Sequence, residues 1–364
     1  MTTTTRARAS ARPVLTVALV AVGLLAPVAG AEAAPRHAPR GPAYDVEVVG
    51  TRSAAPDGTS VYGTDAADLS RSGVVVATRY GGAAYVGTPR RTRELPPVGE
   101  VAPYGVYSHR MSPSGQVYAA GYRVIVRWTG TRVEAARLLQ DEQNPTFHSL
   151  GLGGVNDAGV VTGCSSYVKI GWPYLGSFTG GVRTMSWPEN SGNCSSGGIS
   201  AGGVAAVTQE HPNFRTDPSI VYPRGATMTT AGITYLKAPA GVGTSADAIS
   251  PSGNRLVGRT YADGAPTGVA WLSTGRDPVP LPGAGTMAPK AVTNAGVVLG
   301  VDDGRVWSWD HGRRTDLTSV SRLPRGWVLT DVASINDKGQ IAATATVRGR
   351  EKVAVRLSPV HGRR

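Results

Sequence analysis

One short pattern recurs seven times along this chain: an apolar residue, then Ser, Asn or Thr, two further residues, Gly, and an apolar run. The copies begin Leu69-Ser-Arg-Ser-Gly73, Met111-Ser-Pro-Ser-Gly115, Val155-Asn-Asp-Ala-Gly159, Ile199-Ser-Ala-Gly-Gly203, Ile249-Ser-Pro-Ser-Gly253, Val292-Thr-Asn-Ala-Gly296 and Ile335-Asn-Asp-Lys-Gly339. Their glycines lie 42, 44, 44, 50, 43 and 43 residues apart. Each copy reads as the end of one strand, a tight turn and the start of the return strand. The Ser, Asn or Thr side chain can bond the backbone just ahead of it, and Gly supplies a positive φ. The chain carries 48 Gly and 26 Pro in 364 residues, a load that would interrupt most helices but suits many short strands.

A second pattern trails the first. An aromatic residue is followed by Gly and then by Leu or Met, as in Tyr85…Gly87…Leu95, Trp128…Gly130…Leu138, Phe178…Gly180…Met185 and Tyr222…Gly225…Met228. Trp271…Gly275…Leu281 and Trp309…Gly312…Leu317 continue it. Hairpin tips fall between the two patterns, at Gly81-Gly82, Asp263-Gly264, Asp303-Gly304 and Gly349. Each unit therefore holds four strands, a to d, and about 44 residues per four-stranded unit is the propeller period. The fold predicted is all-β, a seven-bladed propeller over residues 44–358. Its seventh unit runs out after strand c, near Lys352–Leu357, so the spare segment 44–50 is expected to supply the outer strand of that last blade. Closure of this kind removes two exposed sheet edges.

Residues 1–33 read as a Sec-type secretory signal. Arg6, Arg8 and Arg12 precede an apolar stretch, Val14–Ala26, and Ala31-Glu32-Ala33 supplies an A-x-A cleavage site. Thirteen apolar residues are too few to span a bilayer, so no membrane span is expected. A linker over 34–43 and a basic tail over 359–364 flank the propeller, and the protein is expected to be secreted and monomeric. The two cysteines, Cys164 and Cys194, are expected to form a disulfide in an oxidising compartment. Cys164 is placed at the end of strand b of unit three and Cys194 in the loop before the next strand a. The net charge of +12 is scattered, without the basic stripe or aromatic spacing of a nucleic-acid binder, so nucleic acid is disfavoured as a partner.

The repeat resembles the HAF-type extracellular repeat of bacterial secreted proteins, which carries an Ile-Asn-x-x-Gly-x-Val-x-Gly core and a downstream Ala-x-x-Trp. Val155-Asn-Asp-Ala-Gly-Val-Val-Thr-Gly163 matches the core, and Ala270-Trp271 matches part of the downstream element. The resemblance spans roughly residues 60–358. It departs most in unit one, with Arg71 and Ser72 in the turn, and in unit four, with its glycine pair. It implies a secreted propeller-like protein and supplies neither a catalytic apparatus nor a ligand.

No nucleophile elbow, P-loop, sialidase-type Asp box or metal-ligand spacing occurs. Asp302-Asp303-Gly304 lacks the alternating carboxylates of a calcium loop and reads as a hairpin. No cofactor or metal is expected. Aligning the starts of strand a brings Asp65, Tyr107, His109, Asp247, Lys290 and Asp331 toward the channel mouth. There they would either bind a ligand or cap strand ends in a water-filled channel. The leading reading is a non-enzymatic binding protein for a glycan, a cell-wall polymer or a protein. Its competitors are a polysaccharide lyase or hydrolase using channel carboxylates, and a structural, envelope-associated protein.

Overall fold

The computed structural model describes residues 43–49, 64–79, 83–99, 102, 105–130, 132–137, 149–167, 170–185, 187, 193–210, 223–348 and 351–360. The signal and linker expected over 1–33 and 34–43 lie outside these, save for Ala43. The described chain folds into seven antiparallel sheets, each a meander with strand a innermost, arranged as a seven-bladed β-propeller. The inner strands are Thr64–Leu69, Val106–Met111, Ser149–Val155, Cys194–Ile199, Ala288–Val292 and Trp327–Ile335, with blade five's split into Gly243–Thr244 and Ala248–Ile249. Among the described residues no helix is long and apolar enough to cross a membrane.

The turn after strand a forms in all seven blades as its chemistry dictates. In blade one Val74 N–H donates to Ser70 Oγ at 3.0 Å. The counterparts are Ser112, Asn156, Ser200, Ser250, Thr293 and Asn336, each accepting a backbone N–H at 3.0 or 3.1 Å. The seven turn glycines have φ between 71° and 101°, the left-handed region where a Cβ is disfavoured. Blade five carries one extra residue, Asn254, so Ser250 bonds Arg255 five residues on. The outer-face hairpins at Asp263-Gly264 and Asp303-Gly304 have positive φ at both central residues, as a type I′ turn requires. The tips at Gly81-Gly82 and Gly349 lie outside the described residues.

Among the described residues the buried apolar side chains form seven clusters, and each joins two neighbouring blades. Strand b contributes most, with runs of small residues such as Ala205–Val207 and Ala342–Ala345 that let the sheets stack closely. The core is thus a ring of interblade layers, which leaves the axis open.

The aromatic pattern is a packing device. Trp128 and Trp309 occupy one position, opposite the first residue of strand b, and Trp271 stands opposite the second, Val257. Two of the indole N–H groups reach the preceding blade, Trp128 to Pro96 O and Trp309 to Pro282 O, each at 2.9 Å. In blade four Met228 fills this position, within strand c (Arg224–Thr229). Gly225 and Met228 of the Tyr222…Gly225…Met228 match thus both lie within strand c, Leu236 follows strand d, and Tyr222 lies outside the described residues.

Tyr44–Val48 pairs antiparallel with Glu351–Pro359 as the fourth strand of blade seven. Glu47 accepts from Arg356, whose Nη1 also donates to Gly73 O of blade one at 2.7 Å, and Arg322 pairs with Asp45 at 2.8 Å. The sheet extends slightly beyond the expected boundary at 358, since Pro359 is paired and Val360 N–H bonds Ala43 O. Cys164 and Cys194 are disulfide-bonded, with Cα atoms 5.9 Å apart. The bridge joins blades three and four, but Cys164 lies within strand b (Val160–Tyr167) rather than at its end, and Cys194 opens strand a. The long hairpin of blade three carries strand b three residues further than expected.

Candidate functional site

The open axis forms a channel of about 590 Å³ walled by the inner strands of all seven blades. Its lining is set by a bulge in the inner strands. One extra residue at Ala67, Gly153, Gly197, Lys290 or Ala333 lies between paired neighbours and breaks the ladder locally. Each stands six residues before its turn glycine. At Gly153 and Gly197 only hydrogen fits. A Cβ on Gly197 would lie 2.6 Å from Ala246 O, and one on Gly153 would lie 2.1 Å from Ser196 Oγ.

Three of the six predicted residues, Asp247, Lys290 and Asp331, line this channel. Asp247 sits in the break of blade five's inner strand, and its Oδ2 accepts from Arg259 Nε at 3.1 Å. Burial pushes its carboxyl above the usual range, against the opposing fields of Arg259 and Lys290 and a hydrogen bond from Ser245. Behind it Ser245 Oγ accepts from Arg259 N–H at 3.2 Å and lies 3.5 Å from Tyr261 Oη. Burial raises the Tyr261 hydroxyl, and the charges of Asp247 and Glu210 add to the effect. Asp331 is exposed, its Oδ1 accepting Val332 N–H at 2.8 Å. Lys290 is exposed and has no ion-pair partner among the described residues.

Deeper in the wall, Asp68 accepts Leu69 N–H at 2.8 Å and Met111 N–H at 3.0 Å. Burial raises its carboxyl, with Arg110 pulling it back. Arg110 is a buttress: it donates to Gly153 O at 3.1 Å, His109 O at 2.9 Å and Ala67 O at 3.4 Å, tying three blades together.

The remaining three predicted residues do not reach the channel. Asp65 and Tyr107 line a lateral cleft of about 790 Å³ walled by Leu95–Gly99 and Trp128. Asp65 pairs there with Lys352 at 3.2 Å. His109 is buried between blades one and two, its Nδ1 3.1 Å from Thr78 Oγ1 and its ring stacked on Trp128. The reason is register. Blade two's bulge falls at Tyr107, two residues earlier than in its neighbours, so His109 is held in the ladder opposite Ala119. Sequence reasoning misses Arg259 and Glu210 because they belong to strand b and its exit, not to the start of strand a. Among the described residues no group of three His, Cys, Asp or Glu is arranged to hold a metal.

No family model and no curated protein matches the sequence. Solved structures share the fold. Virginiamycin B lyase from Staphylococcus aureus superimposes with a TM-score of 0.53 at 12% identity, covering 87% of this chain and 100% of that one. The extracellular domain of a B. thetaiotaomicron protein described as a hybrid two component system gives 0.51 at 8% identity, covering 86% of this chain and 39% of that one. At these identities the likeness is one of architecture.

Proposed function

We propose that this is a secreted, non-enzymatic binding propeller that takes its ligand in the central channel. The carrying observation is the Asp247–Arg259 pair, braced from behind by Ser245 and Tyr261, with the unpaired Lys290 on the next blade facing the same space. Side chains held in place in this way bind without an ordering cost. Three further points support the reading. The Cys164–Cys194 bridge suits an oxidising compartment. One fold relative is an extracellular domain. The repeat resembles HAF-type repeats of secreted bacterial proteins.

The lyase or hydrolase reading draws on the raised carboxyl of Asp247, the property of a general acid. Against it, that carboxyl is tied to Arg259, and no histidine is among the described lining residues. The test is retention against turnover. The full chain, recovered from the medium of an expressing host, is incubated with bacterial cell walls and a glycan array. Retention that Asp247→Ala reduces at least about ten-fold, the effect of losing one charge-assisted contact, is expected. Release of cleaved polysaccharide, with no retention by wild-type protein, overturns the reading.

A further inference from the structure

Glu210 in blade four, the Asp247–Arg259 pair in blade five, Lys290 in blade six and Asp331 in blade seven occupy one continuous arc. Glu210, Lys290 and Asp331 have no ion-pair partner among the described residues. The inner strands facing this arc present small residues at their bulges, Ala67 and Gly153, and the charged lining residues on that side are engaged: Asp68 and Arg110 in hydrogen bonds to the backbone, Arg71 in a pair with Asp157. No aromatic side chain lines the channel among the described residues. A sugar ring or a nucleobase offers a flat apolar face that aromatic platforms recognise, and this wall has none. It offers instead separated charges of both signs beside a wall of small side chains. The volume of about 590 Å³ falls within the range of sites for small ligands.

We infer that the channel ligand is a short zwitterionic peptide or peptide end with small side chains, its carboxylate held by Lys290 and its ammonium by Glu210 and Asp331. This rests on the channel-binding reading above and names the ligand class within it. Of the partners that reading allows, it selects a peptide moiety over a sugar chain. Glu210 and Asp247 are both close enough to Tyr261 for their charges to act on it, and Lys290 is close enough to act on Asp247, which links the arc electrostatically from blade four to blade six.

The experiment is calorimetric titration of the full chain with trialanine, its C-terminal amide, its N-acetyl form, and the neutral trimer of N-acetylglucosamine. Trialanine is expected to bind. Amidation and acetylation are each expected to weaken it about ten-fold or more, the usual scale for one charge-assisted contact. Lys290→Met is expected to cause the same loss and to abolish the distinction between acid and amide. Glu210→Gln with Asp331→Asn is expected to abolish the distinction between free and acetylated amine. Lys290, Glu210 and Asp331 are exposed, and unchanged thermal unfolding confirms that the variants fold. If the sugar trimer binds and trialanine does not, or if Lys290→Met leaves the acid-to-amide ratio intact, the inference is overturned while channel binding stands. If neither probe binds and Lys290→Trp, which places a bulky ring at the exposed bulge of the channel wall, leaves cell-wall retention unchanged, both fall.

Discussion

Protonating His109 would place a charge in the sealed layer between blades one and two, beside Arg110, with Nε2 lacking any hydrogen-bond partner among the described residues. Burial first, and the Arg110 charge second, lower its pKa from 6.5 to about 4. Between those values the unfolded chain takes up a proton that the folded chain refuses. The stability tied to neutral His109 is therefore complete above pH 6.5 and is lost as pH falls toward 4, by about 3 kcal/mol in all. Asp68 and Asp247 act in the opposite sense. Their raised carboxyls favour the folded state most below the ordinary carboxyl pKa of 3.8, and that contribution is lost as pH rises through their folded values. His109→Gln isolates the histidine term. Urea denaturation from pH 7 to 4 should fall less steeply for the variant than for the wild type, and equal slopes would refute the assignment.

At the scale of the element, the turn after strand a does two jobs where it carries Asn. Asn336 Oδ1 accepts N–H groups within its own turn, as Ser70 Oγ does in blade one, while its Nδ2 donates to Ser70 O at 3.0 Å across the seam between blades seven and one. Asn156 does the same between blades three and four. Asn336→Ser should keep the local bond and lose only the bridge, costing about 1 kcal/mol, whereas Asn336→Ala should lose both and cost about 2. Equal losses for the two in chemical denaturation would show that the bridge contributes nothing. This division also marks what the sequence makes legible. Turn chemistry depends on five adjacent residues, so the seven turns, the strand count and the closing strand could be read directly. The bulge cannot be read this way, because packing against the next blade sets its position. For that reason the offset that brings Asp247, Lys290 and Asp331 to the channel does not bring His109 and Tyr107 there, while Asp65 stands in the ladder opposite Thr78, two residues before the bulge of its blade. Met228 shows the same limit: a Trp position filled by Met leaves no aromatic signal.

For the whole molecule, stability is a sum over seven similar interblade layers rather than the property of one centre, in the manner of repeat proteins. The Cys164–Cys194 bridge reinforces one of those layers, between blades three and four, across a sequence separation of 30. Loop-closure entropy puts its contribution at roughly 3–4 kcal/mol. Cys164→Ser should lower unfolding stability by that amount, and hydrogen exchange should show the loss of protection concentrated in blades three and four. An unchanged denaturation midpoint with and without reductant would contradict this. The pairing of Tyr44–Val48 with Glu351–Pro359 has a consequence in time. A chain emerging N-terminus first, from a ribosome or a translocation pore, presents Tyr44–Val48 some three hundred residues before that strand's partner exists. Six blades can assemble while the seventh waits, and any nascent product halted before Glu351 carries two raw edges that quality-control proteases can recognise. The segment Glu351–Pro359 is thus the one that turns an open crescent into a ring.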